Sequence, residues 1–239
     1  TITNLELLSI KDGVIFDETF ATVDGLDMSD IDYGITIYGG EISISNAEIE
    51  NVRRDAVTVY DGDLILANST ISGIEDGDAI ALYTASSTFN MVSIRNVADG
   101  SALGMYDSYA TVANSLFEGG TGSGIELYSS SLHLATSTVK DFEGAGVSIF
   151  TSDFYLSGNT ISGNGVGIEL YGGNGVITLS DLFDNTEYGL YNGDLGILEA
   201  IGNWWGDLTG PYHEVDNPAG LGNAIYGPVD FSGWLLERI

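Results

Sequence analysis

The chain has no cysteine, only two histidines, and six basic residues against thirty-five acidic ones, for a formal charge of −29 over 239 residues. Without cysteine there is no disulfide framework, no thiolate nucleophile and no cysteine-held metal. That absence leaves the compartment open. A surface this acidic repels nucleic acid and anionic membranes, so neither is an expected partner, and polyuronates are repelled unless metal ions intervene. The two lysines, Lys11 and Lys140, are compatible with a halophilic origin. No run approaches eighteen apolar residues, so no spanning helix is expected. Proline is absent until Pro211, followed by Pro218 and Pro228. A long proline-free body suits strands whose amides all join a ladder.

What is present is a repeated phrase. Gly-Ile-x-Leu-Tyr stands at Gly124–Tyr128 and Gly167–Tyr171, and looser copies end at Tyr38, Tyr60, Tyr83, Tyr106 and Phe150. The steps between these aromatics are 22, 23, 23, 22, 22 and 21 residues. A fixed period of this size marks a repeat architecture, and the alternation within each copy reads as a strand. Eleven residues after each aromatic comes an apolar one (Ile49, Ile71, Ile94, Phe117, Val139, Ile161), with Phe183 twelve after Tyr171. Two further on sit Asn51, Gly73, Asn96, Gly119, Asp141, Gly163 and Asn185. These types tolerate a left-handed backbone, so the column reads as a tight turn. One strand-turn-strand unit per period, stacked on itself, gives an all-β parallel solenoid of about 22 residues per coil, rising ~4.8 Å each.

The chain divides into three segments. Residues 1–33 are irregular, residues 34–201 hold the regular coils, and residues 202–239 form a terminal segment. Phe16, 22 residues before Tyr38, is expected to join the aromatic column in a coil beginning near Gly13, and Ile2–Ile10 to belong to a still earlier coil. The chain opens on Thr1-Ile2-Thr3 without Met or signal peptide. It is read as part of something longer, with further domains and more sequence upstream of Thr1. In the tail, Gly202-Asn203-Trp204-Trp205 overlays Gly158-Asn159-Thr160-Ile161 and puts Trp205 in the core column. A tryptophan pair also suits a sugar platform, but the register favours capping.

The repeats resemble the right-handed parallel β-helices (single-stranded) of the pectate-lyase-like superfamily over nearly the whole chain. The run Asn203-Trp-Trp-Gly-Asp207, with Gly210-Pro211-Tyr-His213, Asn217-Pro218 and Val229-Asp-Phe231, is similar to the terminal segment of many bacterial secreted or surface β-helix proteins. There it closes the helix with bulky aromatics, although Ser232-Gly233-Trp234 stands here where Ser-Pro-Trp is common. Right-handedness is an implication of this resemblance. Because the superfamily holds lyases, hydrolases, epimerases, tailspikes and non-catalytic surface proteins, it implies a fold and leaves the activity open.

Alternation turns Tyr38, Tyr60, Tyr83, Tyr106, Tyr128 and Tyr171 outward as an aromatic strip. Such a strip either stacks on itself to brace the solenoid or offers sugars a platform. The column two residues earlier (Thr36, Thr58, Ala81, Gly104, Glu126, Ser148, Glu169) is expected outward as well, and is too irregular for ice binding. Glu126 and Glu169, two coils or ~9.6 Å apart, approach the carboxyl separation of inverting glycosidases. Their near-identical contexts give no reason for unlike pKa values. Asp24, Asp27, Asp30 and Asp32 are the alternative metal site, for Ca²⁺; their spacing is not that of an EF-hand, and a solvated acidic turn is the favoured reading. The lyases' basic residue beside calcium-binding aspartates has no convincing counterpart among Arg53, Arg54, Arg95 and Lys140. His133 and His213 are too far apart in the chain for a triad. Asn68-Ser-Thr70 is a glycosylation sequon only in a eukaryotic secreted setting.

The expected function is that of a non-catalytic, extracellular or cell-surface bacterial module, a rigid stalk or adhesive element. Its expected partner is a polysaccharide or cell-surface glycan, neutral and bound along the six tyrosines, and no cofactor is expected apart from the Ca²⁺ alternative. A polysaccharide-active glycoside hydrolase or lyase of the same fold is the second reading.

Overall fold

The computed structural model describes residues 1–9, 11 and 13–239. Its named strands pair in parallel throughout, each with the equivalent strand of the next coil. Val57–Tyr60 pairs with Ile80–Tyr83, which pairs with Leu103–Tyr106, which pairs with Ile125–Tyr128, residue for residue. The expected earlier coil is present as Ile2–Leu8, paired to Val14–Ile31; Ile10 lies outside the described residues. Inward apolar columns stack into one continuous core, with Ile37, Val59, Leu82, Met105, Leu127 and Ile149 all at 0 % exposure. Burial of such side chains is the main favourable contribution to folding.

Each coil has three straight runs and three corners rather than the single turn expected. Counting from the ladder residue (Asp17, Tyr38, Tyr60, Tyr83, Tyr106, Tyr128, Phe150 or Tyr171), positions 1, 8 and 13 always carry a left-handed backbone. The first column runs Glu18, Gly39, Asp61, Thr84, Asp107, Ser129, Thr151, Gly172, and the second Gly25, Asn46, Asn68, Met91, Asn114, Thr136, Gly158, Leu179. The third is Asp30, Asn51, Gly73, Asn96, Gly119, Asp141, Gly163, Asp184. In the coils from Asp17 to Tyr171 the length variation therefore falls after the third corner, in the loop that leads back to the ladder strand. The next coil instead gains one residue between Asn192 and Glu199, since Leu170 pairs with Asn192 but Val176 with Glu199.

Immediately after each corner an inward side chain can bond the preceding coil's backbone. Ser115 Oγ accepts from Val92 N, Ser137 Oγ from Ser115 N, Asn159 Oδ1 from Ser137 N, Ser180 Oγ from Asn159 N and Asn203 Oδ1 from Ser180 N, over 2.9–3.2 Å. Ser108, Ser130 and Ser152 do the same behind the first corner. Asn164, Asn185 and Asn223 do so behind the third. Corner amides that would otherwise be buried without partners are satisfied in this way.

Two register assignments need correction. Phe16 pairs with Ile37 and is buried, so Asp17, not Phe16, precedes Tyr38 in the ladder column. Leu182 pairs with Ile161 and is fully buried, whereas Phe183 is half-exposed. The coil after Tyr171 thus keeps the spacing of the others, and Asp184 rather than Asn185 makes its left-handed turn. Beyond it, Trp204 bridges Asp181 and Trp205 is fully buried at the end of the core. Trp234 is half-buried beside Phe231, with ring centroids 6.3 Å apart.

Candidate functional site

The outward side chains of the ladder strand form one continuous stack of rings. Tyr38, Tyr60, Tyr83, Tyr106, Tyr128, Phe150 and Tyr171 succeed one another with centroids 4.7–5.4 Å apart and planes within 2–11°. Identical positions one strand spacing apart leave room for little else. The ring faces therefore cover one another along the solenoid, and the strip shows solvent its edges and hydroxyls. A flat platform of ring faces, the arrangement expected for sugar stacking, is not what the interior of the ladder presents. Two further tyrosines extend the row: Tyr191 tilts against Tyr171 at 46°, and Tyr226 stacks on Tyr191 at 4.7 Å and 6°. Both stand in register with Glu169 rather than with Tyr171. Residues Gly193–Ala224 lie between them, which hides Tyr226 from any search at a fixed period.

The neighbouring column is largely covered, contrary to expectation. Thr58, Ala81, Gly104 and Ser148 are buried, and Glu126 and Glu169 are half-buried. The cover comes from the rings on one side and the variable loop on the other. Asp55 accepts from Thr58 Oγ at 3.2 Å and from Asp78 N at 2.9 Å, and Asp78 Oδ1 accepts from Ser101 N at 2.7 Å. The other Asp78 oxygen lies over Gly104, where a Cβ would stand 2.2 Å from it and 3.3 Å from the Tyr106 ring. Glycine at position 104 is what admits this carboxyl.

The surroundings set the charges. Burial, opposed by the Ser101 amide and reinforced by the Asp55 and Glu126 carboxylates, pushes the Asp78 carboxyl up to about 6. Burial followed by Asp78 raises the Tyr106 phenol, and burial followed by Asp55 and Asp78 raises that of Tyr83. The slot of Asp78, Glu126, Tyr83 and Tyr106 thus holds a carboxyl that keeps its proton up to about pH 6, beside a second carboxyl. A general acid and base need such unlike environments.

The expected carboxyl pair fares differently. Glu169 accepts from Ser148 Oγ at 2.6 Å and from the Tyr171 hydroxyl at 3.4 Å, so both of its oxygens are engaged. Glu126 instead faces the Asp78 slot, and the two glutamates do not share one environment. The dip to Ala81 and Gly104 in the column was the sequence signal for that slot. Of the four early aspartates, Asp24 accepts from Ser45 and Asn46, Asp30 from Asn51, and Asp32 lies 3.9 Å from Arg53. Each of these three is tied to a different partner. Among the described residues no three His, Cys, Asp or Glu side chains gather to hold a metal ion.

No curated protein matches the chain. One solved structure with a distant likeness is that of HetL, a pentapeptide repeat protein involved in heterocyst differentiation regulation from the cyanobacterium Nostoc sp.. It is 12 % identical over 70 % of this chain and 85 % of its own, with a TM-score of 0.16, which bears on neither fold nor function. The family model described as a right handed beta helix region matches residues 33–194, the coils that carry the ladder from Tyr38 to Tyr191. The chain belongs to the right-handed β-helix family.

Proposed function

We propose that the chain is a rigid, non-catalytic module of a secreted or surface protein that contacts neutral glycans along its ladder. The observation that carries this reading is the row of phenol hydroxyls. Among the described residues Tyr171 alone of the six expected tyrosines bonds its hydroxyl to the protein, and no tyrosine hydroxyl is buried without a partner. The others meet water at ring spacings of about 5 Å and can exchange it for sugar hydroxyls. The net charge of −29 favours neutral over anionic chains. Rigidity comes from rings and corner side chains that lock each coil to the next. A glycan array probed with the wild type and with a Tyr106→Phe/Tyr128→Phe variant tests the idea, since phenylalanine preserves stacking and removes two hydroxyls. Weakened retention at an unchanged melting temperature is expected. Equal retention on every positive glycan would refute the hydroxyl row.

A second reading is favoured by the slot alone: a glycoside hydrolase with Asp78 as the protonated acid and Glu126 as the base. It requires reducing-end release from a neutral polysaccharide, lost in both Asp78→Asn and Glu126→Gln. Activity that survives either change excludes it.

A further inference from the structure

Interior rings of the ladder have a neighbour on each face, but the last ring does not. Tyr226 stacks on Tyr191 on one side, and Tyr188 meets it only at 61°. Among the described residues no other ring stacks on it, and Tyr226 is 50 % exposed. It forms part of the wall of a cleft of about 490 Å³ between the end of the ladder and the loop of His213 and Glu214. That volume lies within the roughly 300–1,000 Å³ of small-molecule sites. Asp194, Glu214, Val215 and Tyr191 also line the cleft, and no lysine or arginine does. The loop is held in place: the His213 ring lies 5.4 Å from Phe231, and its Nδ1 is 3.1 Å from the donating Asp216 amide. Asp194 Oδ1 accepts from Leu195 N, which leaves its second oxygen free of protein bonds among the described residues. At the other end of the ladder Tyr38 also has one face without a ring, but there the next register position is the carboxylate of Asp17.

We propose that this cleft is a saccharide subsite in which one neutral pyranose unit stacks on the open face of Tyr226. Glu214 and Asp194 accept hydrogen bonds from its hydroxyls. The apolar face of a pyranose matches a ring face, and carboxylates accept from vicinal hydroxyls while repelling uronates. The subsite rests on the glycan reading above and gives it an anchor: one unit held by a ring face, the chain continuing along the hydroxyl row.

Affinity electrophoresis and titration calorimetry of the full chain test it, with mixed-linkage β-glucan, xylan and galactomannan and their oligosaccharides as probes. Tyr226→Leu keeps an apolar contact with Tyr191 and removes the ring face, and should weaken binding by about tenfold. Tyr226→Phe should restore it. Glu214→Gln should also weaken it, and decides the matter if Tyr226→Leu melts early. Full binding by Tyr226→Leu together with loss in Tyr106→Phe/Tyr128→Phe overturns the subsite and leaves the hydroxyl row standing. Full binding by Glu214→Gln with a misfolded Tyr226→Leu overturns it likewise. A wild type that binds none of the probes overturns both.

Discussion

Single residues are judged in this fold by whether they tolerate the left-handed corners. Met91 stands at the second corner with φ 55°, between Asn68 and Asn114 in the same column, and is 52 % exposed. A side chain other than Gly, Asn or Asp loses about 1–2 kcal/mol in that conformation, and this one has little packing to offset the loss. Met91→Asn should therefore raise the urea midpoint by the equivalent of about 1 kcal/mol; a lower midpoint would show that the column is not conformationally limited. Asp78 is the residue whose charge is least at ease. Its carboxyl titrates near 6 in the folded chain against 3.8 for the free group. The folded state thus holds the proton more tightly, so the contribution to stability is fully present below about pH 4 and is lost as pH rises through 6. Asp78→Asn keeps an acceptor for the Ser101 amide. It should stabilise the chain at pH 7 by at most about 3 kcal/mol, change little at pH 4, and flatten the fall in stability between those values. A wild-type slope retained in the variant would assign that slope to other carboxylates.

Elements are held together by the side chains just past each corner. Asn164, fully buried, accepts from Phe142 N through Oδ1 and donates through Nδ2 to Val139 O and Asn185 Oδ1. Asn164→Ala strands a buried amide and a buried carbonyl, each worth about 1–3 kcal/mol, so a loss of roughly 2–5 kcal/mol in chemical denaturation is expected. A loss below about 1 kcal/mol would mean that water replaces the side chain. Elements also show why only part of this architecture is legible in the sequence. The ladder column is aromatic from Tyr38 to Tyr171 and the third corner is Asn, Gly or Asp in every coil, so both announce themselves. The second corner mixes Asn68, Met91, Thr136 and Leu179, which share a backbone angle and no chemistry. Leu182 and Phe183 are both apolar, so composition does not say which turns inward. The Asp78 slot depends on Gly104 in the following coil and on a loop of variable length, a relation visible only once the coils are stacked. Ring orientation is set by the identical ring above and below, and a one-dimensional pattern carries the identity without the angle.

The whole molecule is a one-dimensional stack whose ends differ. The first coil exposes Ile2 and Leu8, the next Ile15 and Phe20, and among the described residues Ile2–Leu8 pairs only with Val14–Ile31. At the other end Trp205 fills the core, and Arg238 lies 4.0 Å over Phe183 while its guanidinium reaches Asp181, whose side chain is only 5 % exposed. A charge of −29 spread along such a rod repels itself, so added salt should raise the melting temperature without altering the spectrum of the folded state. In stacked repeats stability is a sum of coil and interface contributions, and opening starts at the weaker end. Native-state hydrogen exchange should accordingly be fastest in Ile2–Leu8 and slowest in the central ladder strands. Trp205→Ala removes the largest side chain at the closed end, at about 3–5 kcal/mol, and should create a second opening front. Asp181–Phe183 and Tyr188–Asn192 would lose protection while Ile80–Tyr83 and Leu103–Tyr106 keep theirs. Equal loss of protection in all of these strands would instead make the rod a single cooperative unit, with the ladder and the corner side chains coupling its ends more strongly than nearest-neighbour stacking allows.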